Sequence, residues 1–123
     1  MTQQNTPPPT VIWGIKNCDT MKKAFAWLEA HDVAYEFVDY KKSGVVASHL
    51  PDWNQRSGWQ KLLNTRGLMW RKLDESERAD MNEAKALALM ERYPVLIKRP
   101  VLDTGDGLLI GFDAERYAQE LKP

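Results

Sequence analysis

The only cysteine of the chain lies where a predicted strand ends and a predicted helix begins, and this junction constrains the fold more than any other feature. Residues 11–14 form a short apolar run with β-branched members, which is typical of a buried strand. A helical pattern opens directly after Cys18. The unpaired N–H groups and the positive dipole end at a helix start favour a thiolate over a thiol. Because the thiolate is the nucleophilic form, Cys18 is a candidate for nucleophilic chemistry.

A lone cysteine can instead be an inert apolar residue of the core. The immediate neighbours of Cys18 are polar residues that seldom enter a core, namely Asn17, Asp19 and Thr20. Lys16 lies close in sequence and adds positive charge. Asp19 and Thr20 also suit ordinary helix capping, which uses the same N–H groups as an anion site. We favour the reactive interpretation of Cys18.

The first forty residues predict a strand, a helix and a second strand. Apolar residues at helical spacing predict a helix from Met21 to about His31. An aromatic-rich alternating run over residues 35–40 predicts a strand. A helix between two strands favours a parallel pair joined by a right-handed crossover.

The middle of the chain, residues 45–93, contains no convincing strand. Helical spacings recur on either side of the breaker Ser57-Gly58, and a short helix is predicted over residues 68–73. Asn82 is expected to begin a helix that reaches Arg92. This stretch therefore predicts a helical insertion, in which packing rather than ligand stacking is the role assigned to Trp53, Trp59 and Trp70.

The C-terminal part returns to strand patterns. After Pro94, apolar residues from Val95 to Leu102 and a partner run at 108–111 flank a Gly/Asp turn, which predicts a β-hairpin. Asp113 is expected to cap a terminal helix. The order of elements predicts one α/β domain with a sheet of about four strands. The predicted organisation is a disordered or extended lead-in at residues 1–10, followed by one domain at residues 11–123. Within this domain, residues 11–42 and 94–121 form the core, and residues 45–93 form the helical insertion.

Composition narrows the classes of function. Seventeen basic and seventeen acidic residues leave no net charge that would recruit nucleic acid or an anionic membrane. A single cysteine excludes an intrachain disulfide and suits a reducing compartment. No apolar run approaches the ~20 residues needed to span a bilayer, and the N-terminus lacks the basic and apolar regions of a signal peptide. His31 has no partner residue at the spacing that metal ligands require. We expect a cytoplasmic protein without a metal, a nucleic-acid partner or a membrane partner, and the absence of heptads favours a monomer.

Three motifs resemble the ArsC/Spx family, and within it the YffB-like subgroup. They are Gly14-Ile15-Lys16-Asn17-Cys18-Asp19-Thr20, Leu96-Ile97-Lys98-Arg99-Pro100-Val101 and Gly111-Phe112-Asp113. The resemblance implies a thioredoxin-like fold with a cis-proline at Pro100 facing Cys18, an arrangement that an X-Pro bond permits. It implies Cys18 as the nucleophile, Thr20 on the anion-binding loop and Arg99 as an anion-binding catalytic residue.

At several positions this sequence lacks the functional residues of the arsenate reductases, which reduces the number of activities that the resemblance supports. A second arginine of the arsenate reductases falls at Asn64, so Arg66 is a candidate by proximity only, and a third falls near Gly111. Their histidine falls near Gly14. These differences argue against arsenate reduction. The Spx-type regulators commonly carry a Cys-x-x-Cys switch, but Met21 occupies the second position here, so only a monothiol cycle remains.

The resulting hypothesis is a monothiol reductase that uses glutathione. Cys18 attacks a small disulfide such as glutathione disulfide, and a second thiol from glutathione or a partner protein resolves the mixed disulfide. Arg99 is expected to bind a glutathione carboxylate with two nitrogens, or alternatively to form a structural ion pair with Asp39 or Asp103. The other residues predicted to bind substrate are Asn17, Asp19, Thr20, Arg66 and Pro100. No metal or prosthetic group is expected, and the alternatives are an Spx-like protein-binding module and, third, an arsenate reductase.

Overall fold

A computed structural model describes residues 10–42 and 44–123 as a mixed α/β fold. The strands are β1 (Thr10–Gly14), β2 (Tyr35–Asp39), β3 (Val101–Asp103) and β4 (Leu108–Ile110). The helices are α1 (Asp19–Ala30), α2 (Val45–Ser57), α3 (Trp59–Leu62), α4 (Leu68–Lys72), α5 (Glu75–Arg78), α6 (Glu83–Arg92) and α7 (Ala114–Leu121). A 3₁₀ turn covers Pro94–Leu96.

The four strands form one sheet in the order β2-β1-β3-β4. β1 and β2 are parallel, with Gly14 opposite Asp39, which confirms the predicted crossover around α1. β3 runs antiparallel to β1 and β4 antiparallel to β3, which confirms the hairpin. The predicted thioredoxin-like α/β class is therefore correct.

Each face of the sheet is covered by its own apolar core, because side chains alternate between faces along each strand. Helices α1 and α7 cover one face, where Ile12, Leu102 and Leu109 meet Met21 and Tyr117. The helices between β2 and β3 cover the other face, where the strands contribute Trp13 and Val101; their buried side chains include Leu50, Trp53, Leu62 and Met90. Trp53 is fully buried, in agreement with its predicted packing role.

Two strands begin at other residues than the sequence predicts. Thr10 was placed in the lead-in, but it begins β1 and is only 8 % exposed. The prediction for residues 1–9 lies outside the described residues. A strand was predicted from Val95, yet the backbone turns there: the N–H of Leu96 donates to the carbonyl of Tyr93 at 2.9 Å, and β3 begins only at Val101. The reason is Pro94, whose fixed φ suits the first position of a helical turn.

A backbone junction ties the inserted helices to the segment that carries Arg99. Leu63 and Ile97 form an isolated antiparallel bridge. On either side of it, the N–H of Asn64 donates to Leu96 at 2.7 Å and the N–H of Lys98 donates to Leu62 at 2.8 Å. This junction fixes the approach to the proline turn before β3.

An ion pair fastens α2 to β3, and its loss should be measurable. Arg56 donates from Nη1 and Nη2 to the two carboxylate oxygens of Asp103 at 2.8 and 3.0 Å. The Arg56 guanidinium holds the pKa of Asp103 below its usual value. Because the pair is partly exposed, we expect Asp103→Asn to lower the free energy of unfolding by only about 1 kcal/mol at neutral pH.

The ion pair stabilises the fold only where Asp103 is ionised. A depressed carboxyl pKa stabilises the fold above the ordinary pKa of about 4, and this contribution is lost as the pH falls and Asp103 is protonated. Urea unfolding at several pH values should therefore show the difference between wild type and Asp103→Asn shrinking toward acid. Asp106→Asn, an exposed change in the same hairpin, is the control. An equal difference at every pH would contradict the assignment.

Candidate functional site

Cys18 stands at the start of α1, one short loop after β1. It is the N-cap residue, with extended backbone angles (φ −144°, ψ 131°), and its carbonyl accepts the N–H of Lys22 at 2.9 Å. Its side chain is half-buried. The strand–turn–helix junction predicted from the sequence is confirmed, and it brings the thiol to the carboxyl end of β1.

Arg99 meets this thiol from the far end of the sequence. Its Nε donates to Sγ of Cys18 at 3.4 Å. Its Nη1 donates to the hydroxyl of Tyr40 and to the carbonyl of Val95, both at 3.3 Å. The peptide bond between Arg99 and Pro100 is cis, as the resemblance implied. The guanidinium is thus held on three sides with one nitrogen directed at the sulfur.

Tyr40 completes this arrangement, and sequence reasoning missed it. Its side chain is fully buried, and its hydroxyl donates to the carbonyl of Ile97 at 3.0 Å while it accepts from Arg99. One signal could have found it: carboxyl ends of parallel strands meet at one sheet edge, so the residue after β2 must lie beside the residue after β1. The N–H of Tyr40 donates to Gly14 at 3.1 Å in agreement with that rule.

The environment of Cys18 favours the thiolate. Burial by itself raises the pKa of the Cys18 thiol, but hydrogen bonds from the backbone of Met21, the side chain of Arg99 and the backbone of Thr20 outweigh it. The net pKa lies below the ordinary thiol value. The two backbone donors, Thr20 and Met21, belong to the first turn of α1, where a helix offers unpaired N–H groups, and the Arg99 side chain adds a third donor.

The alkylation rate of Cys18 should reveal this shift. We expect half-maximal reaction with iodoacetamide at a pH clearly below the ~8.5 of an ordinary thiol, because only the thiolate reacts. The chain has no other cysteine, so the rate reports on Cys18 alone. Unfolding in denaturant should return the midpoint to the ordinary value. A folded-state midpoint at or above that value would mean that the site does not stabilise the thiolate.

Tyr40 and Arg99 keep their usual protonation states. Burial raises the pKa of the Tyr40 hydroxyl, and the nearby Arg99 opposes this only in part. Burial lowers the pKa of Arg99, but its contacts with Tyr40 and Cys18 more than compensate. Tyr40 therefore acts as a neutral donor and acceptor, and Arg99 is the one charged partner of the thiolate in these contacts.

A cleft of about 240 Å³ adjoins Arg99. Inserted helix α4 supplies much of its wall, including Leu68, which is 62 % exposed, and Trp70. Lys72 and Arg99 are cations of the lining, and no acidic residue of the described chain lines it. The cleft suits a ligand that combines an anionic group with an apolar part.

The remaining residues predicted to bind substrate differ in burial and in their contacts with Cys18. Thr20 is half-buried and supplies a hydrogen bond to Cys18, whereas Asn17 and Asp19 are exposed. Pro100 is buried next to Arg99. Arg66 is exposed, and its backbone N–H donates to Oδ1 of Asn64 at 3.1 Å. Of the predicted site residues, Arg99 alone is among the described lining residues of the cleft; Cys18, Asn17, Asp19, Thr20, Arg66 and Pro100 are not. Binding of substrate by these residues stays a prediction.

The alternative ion pairs of Arg99 are not formed in the described part of the chain. Asp103 is bound by Arg56, and Asp39 accepts the backbone N–H of Lys41 at 2.9 Å. Gly111, where the resemblance placed a third arginine, has a φ of +80° and donates its N–H to Pro100 at 2.8 Å. A side chain is strained at that φ, so the turn after β4 favours glycine.

Residues 10–42 and 44–123 contain neither a helix that could span a membrane nor a cluster of side chains that could hold a metal ion. No helix there is long and apolar enough to cross a bilayer. No group of three or more His, Cys, Asp or Glu side chains there is arranged to hold a metal ion.

The sheet, the N-capping cysteine and the arginine before a cis-proline define a thioredoxin-like protein with a thiol-based site. Comparison with known proteins identifies the particular family. The ArsC family model matches residues 13–119, so the chain belongs to the ArsC family. This match confirms the resemblance to the ArsC/Spx family that the three sequence motifs indicated.

Relatives cover nearly the whole domain. A solved YffB protein is 52 % identical with a TM-score of 0.84, over 89 % of this chain and 96 % of that one. An ArsC-related protein from Brucella melitensis is 41 % identical with a TM-score of 0.74, over 99 % and 100 %. An uncharacterized protein of Haemophilus influenzae is 38 % identical over 106 residues, which are 86 % of this chain and 93 % of that protein.

More distant relatives belong to two functional classes. The global transcriptional regulator Spx of Streptococcus pneumoniae is 27 % identical over 101 residues, covering 80 % of this chain and 75 % of the regulator. An arsenate reductase from Vibrio cholerae is 18 % identical with a TM-score of 0.77 over 93 % of this chain and 98 % of that one, a likeness of fold alone.

Proposed function

We propose that the protein is a glutathione-dependent monothiol reductase of disulfides, with Cys18 as its nucleophile. The contact of 3.4 Å between Nε of Arg99 and Sγ of Cys18 is the observation that carries this proposal. A guanidinium beside the sulfur stabilises the thiolate, and the half-buried thiol remains within reach of a small disulfide. A reducing compartment such as the cytoplasm supplies the glutathione.

The cycle has three exchange steps. The thiolate of Cys18 attacks one sulfur of a disulfide, which forms a mixed disulfide and releases the other half as a thiolate. A first glutathione thiolate attacks the Cys18 sulfur of the mixed disulfide, which releases the second half of the substrate as a thiolate and leaves Cys18 glutathionylated. A second glutathione thiolate attacks the glutathionyl sulfur, which releases glutathione disulfide and restores the Cys18 thiolate. For each disulfide reduced, two glutathione molecules are oxidised to one glutathione disulfide. No second cysteine of the chain can resolve the intermediate, so the resolving thiol comes from outside.

The cleft beside Arg99 is the proposed glutathione site. Its cations, Lys72 and Arg99, complement the carboxylates of the tripeptide. Nε and Nη1 of Arg99 already contact Cys18 and Tyr40, so Nη2 is the nitrogen we assign to a carboxylate rather than the two-nitrogen contact expected from the sequence. The residues proposed to surround the bound disulfide are Asn17, Asp19, Thr20, Arg66 and Pro100. In this proposal the protein acts as a monomer.

Mass spectrometry and a coupled assay test this function. Incubation with glutathione disulfide should add one glutathionyl group at Cys18, and excess glutathione should remove it. Reduction of hydroxyethyl disulfide, followed through glutathione reductase and NADPH, should then proceed catalytically. A stable adduct without turnover, or no adduct at all, would contradict the reductase proposal.

A protein-binding role is the second candidate, because the Spx regulators match most of the domain. In that case a partner would bind in a stoichiometric complex, Cys18→Ser would retain it, and the wild type would show no thiol turnover. Arsenate reduction is the third candidate, and arsenate-dependent oxidation of glutathione tests it directly.

A further inference from the structure

A second cleft, of about 290 Å³, shares no lining residue with the cleft at Arg99. It lies at the outer strand of the sheet, where Leu108 and Ile110 of β4 contribute the apolar part of its wall. Its other main lining residues are four cations, Arg56, Lys61, Lys98 and Arg116, and none of its described lining residues is acidic.

Most of this positive charge lacks an acidic partner within the described residues. Arg56 is neutralised by Asp103 and Asp52. Lys61, Lys98 and Arg116 form no ion pair in residues 10–42 and 44–123. Like charges gathered around one cleft repel each other and create a local positive potential, although the chain as a whole has no net charge.

The backbone at this edge offers hydrogen bonds as well. In the β3–β4 hairpin, the N–H of Thr104 donates to Gly107 at 2.9 Å and the N–H of Gly111 donates to Pro100 at 2.8 Å. Hydrogen-bonded pairs alternate along an antiparallel ladder, so Leu109 is the residue between them that bonds to β3. The N–H and C=O groups on either side of Leu109, those of Leu108 and Ile110, therefore point away from the sheet.

We propose that the edge of β4 is a docking site for an acidic, extended segment of another protein. The segment adds a strand that pairs with the outward groups of Leu108 and Ile110, in the mode by which sheet edges bind extended peptides. Its carboxylates lie against Lys61, Lys98 and Arg116. The charge complementarity selects this occupant, because a second copy of the chain would bring the same cations to the interface.

The site also has a physical connection to the segment that carries Arg99. Lys98 lines the β4-edge cleft and Arg99, the next residue, lines the other cleft. A segment bound at β4 would thus contact the residue that directly precedes Arg99. The proposal itself does not depend on any thiol chemistry.

Fluorescence anisotropy with a short labelled peptide that alternates glutamate and valine tests the site. We expect binding that weakens as salt increases, and we expect the same peptide with glutamine for glutamate to bind much more weakly. Lys61→Glu combined with Arg116→Glu should weaken binding of the acidic peptide by about tenfold, since each exposed ion pair contributes modestly. Lys23→Glu, an exposed change on α1, should have no effect.

The strand-pairing part has its own readouts. Ile110→Pro removes one outward N–H and no ladder hydrogen bond, and proline is tolerated on edge strands, so we expect loss of binding with the fold retained. In wild type, the peptide should slow hydrogen exchange of the Leu108 and Ile110 amides. Unchanged exchange at both amides, or equal binding of the glutamine peptide, would overturn the proposal. A single-stranded oligonucleotide that binds more tightly and is insensitive to Ile110→Pro would assign the cations to nucleic acid instead.

Discussion

Replacing Cys18 with serine should abolish disulfide reduction. We expect the rate in the coupled glutathione assay to fall by about three orders of magnitude or more, because the substitution removes the only nucleophilic sulfur. A serine hydroxyl is not ionised at neutral pH and does not exchange with a disulfide. The glutathionyl adduct seen by mass spectrometry should disappear together with the turnover.

A displaced cysteine is the matched control for this result. Ala26 lies on the same helix and is exposed, so the double variant Cys18→Ser/Ala26→Cys keeps one accessible thiol but moves it away from Arg99. We expect this variant to be alkylated with an ordinary thiol pH profile and to remain inactive. If it restored the wild-type rate, any surface thiol would suffice and the site around Cys18 would have no catalytic role.

The junction around Cys18 was predictable because its signals are local. An apolar run, a polar loop and a helical repeat follow one another within about twenty residues, and each points to the same structure. Parallel pairing of β1 and β2 followed from chain connectivity alone, since the intervening helix requires a crossover. Asp113 was likewise predicted as the N-cap of α7 from local sequence, and the Asp113 side chain accepts hydrogen bonds from the N–H groups of Glu115 and Arg116.

Errors arose where distant contacts override local preference. Val95, Leu96 and Ile97 have the composition of a strand, but they form a turn that is held by its bridge to the inserted helices. Helix α5 has only four residues and was not predicted, because a single turn leaves too short a pattern for periodicity to detect.

The site itself could be predicted only in part. Cys18 was identified from its position, but its pairing with Arg99 spans 81 residues and was suggested by family resemblance rather than by spacing. Tyr40 was assigned only to a strand, since nothing local distinguishes a tyrosine that packs from one that holds a guanidinium. Arg66 was chosen for its proximity to a family position, and a position on an exposed loop does not determine where the side chain lies.

Replacing Arg99 with glutamine should raise the pKa of Cys18 and slow the reductase. The substitution removes the charge and the hydrogen bond that favour the thiolate, so less of Cys18 is ionised at neutral pH. We expect the neutral-pH rate to fall by about 10- to 100-fold, since loss of one charge-assisted hydrogen bond costs about 1.5–3 kcal/mol. The alkylation midpoint measured on the same variant should move upward.

The pH profile separates the two roles of Arg99. If Arg99 only lowers the thiol pKa, the glutamine variant should reach the wild-type rate or exceed it at high pH, because a more basic thiolate is a stronger nucleophile. If Arg99 also binds the substrate anion, a deficit should persist there and appear as a raised KM for glutathione. Arg99→Lys keeps the charge without the planar donors, and Tyr40→Phe keeps Arg99 but removes one hydroxyl that positions it. An alkylation midpoint that is unchanged in Arg99→Gln would show that the guanidinium does not stabilise the thiolate, and the proposed mechanism would then lose its main support.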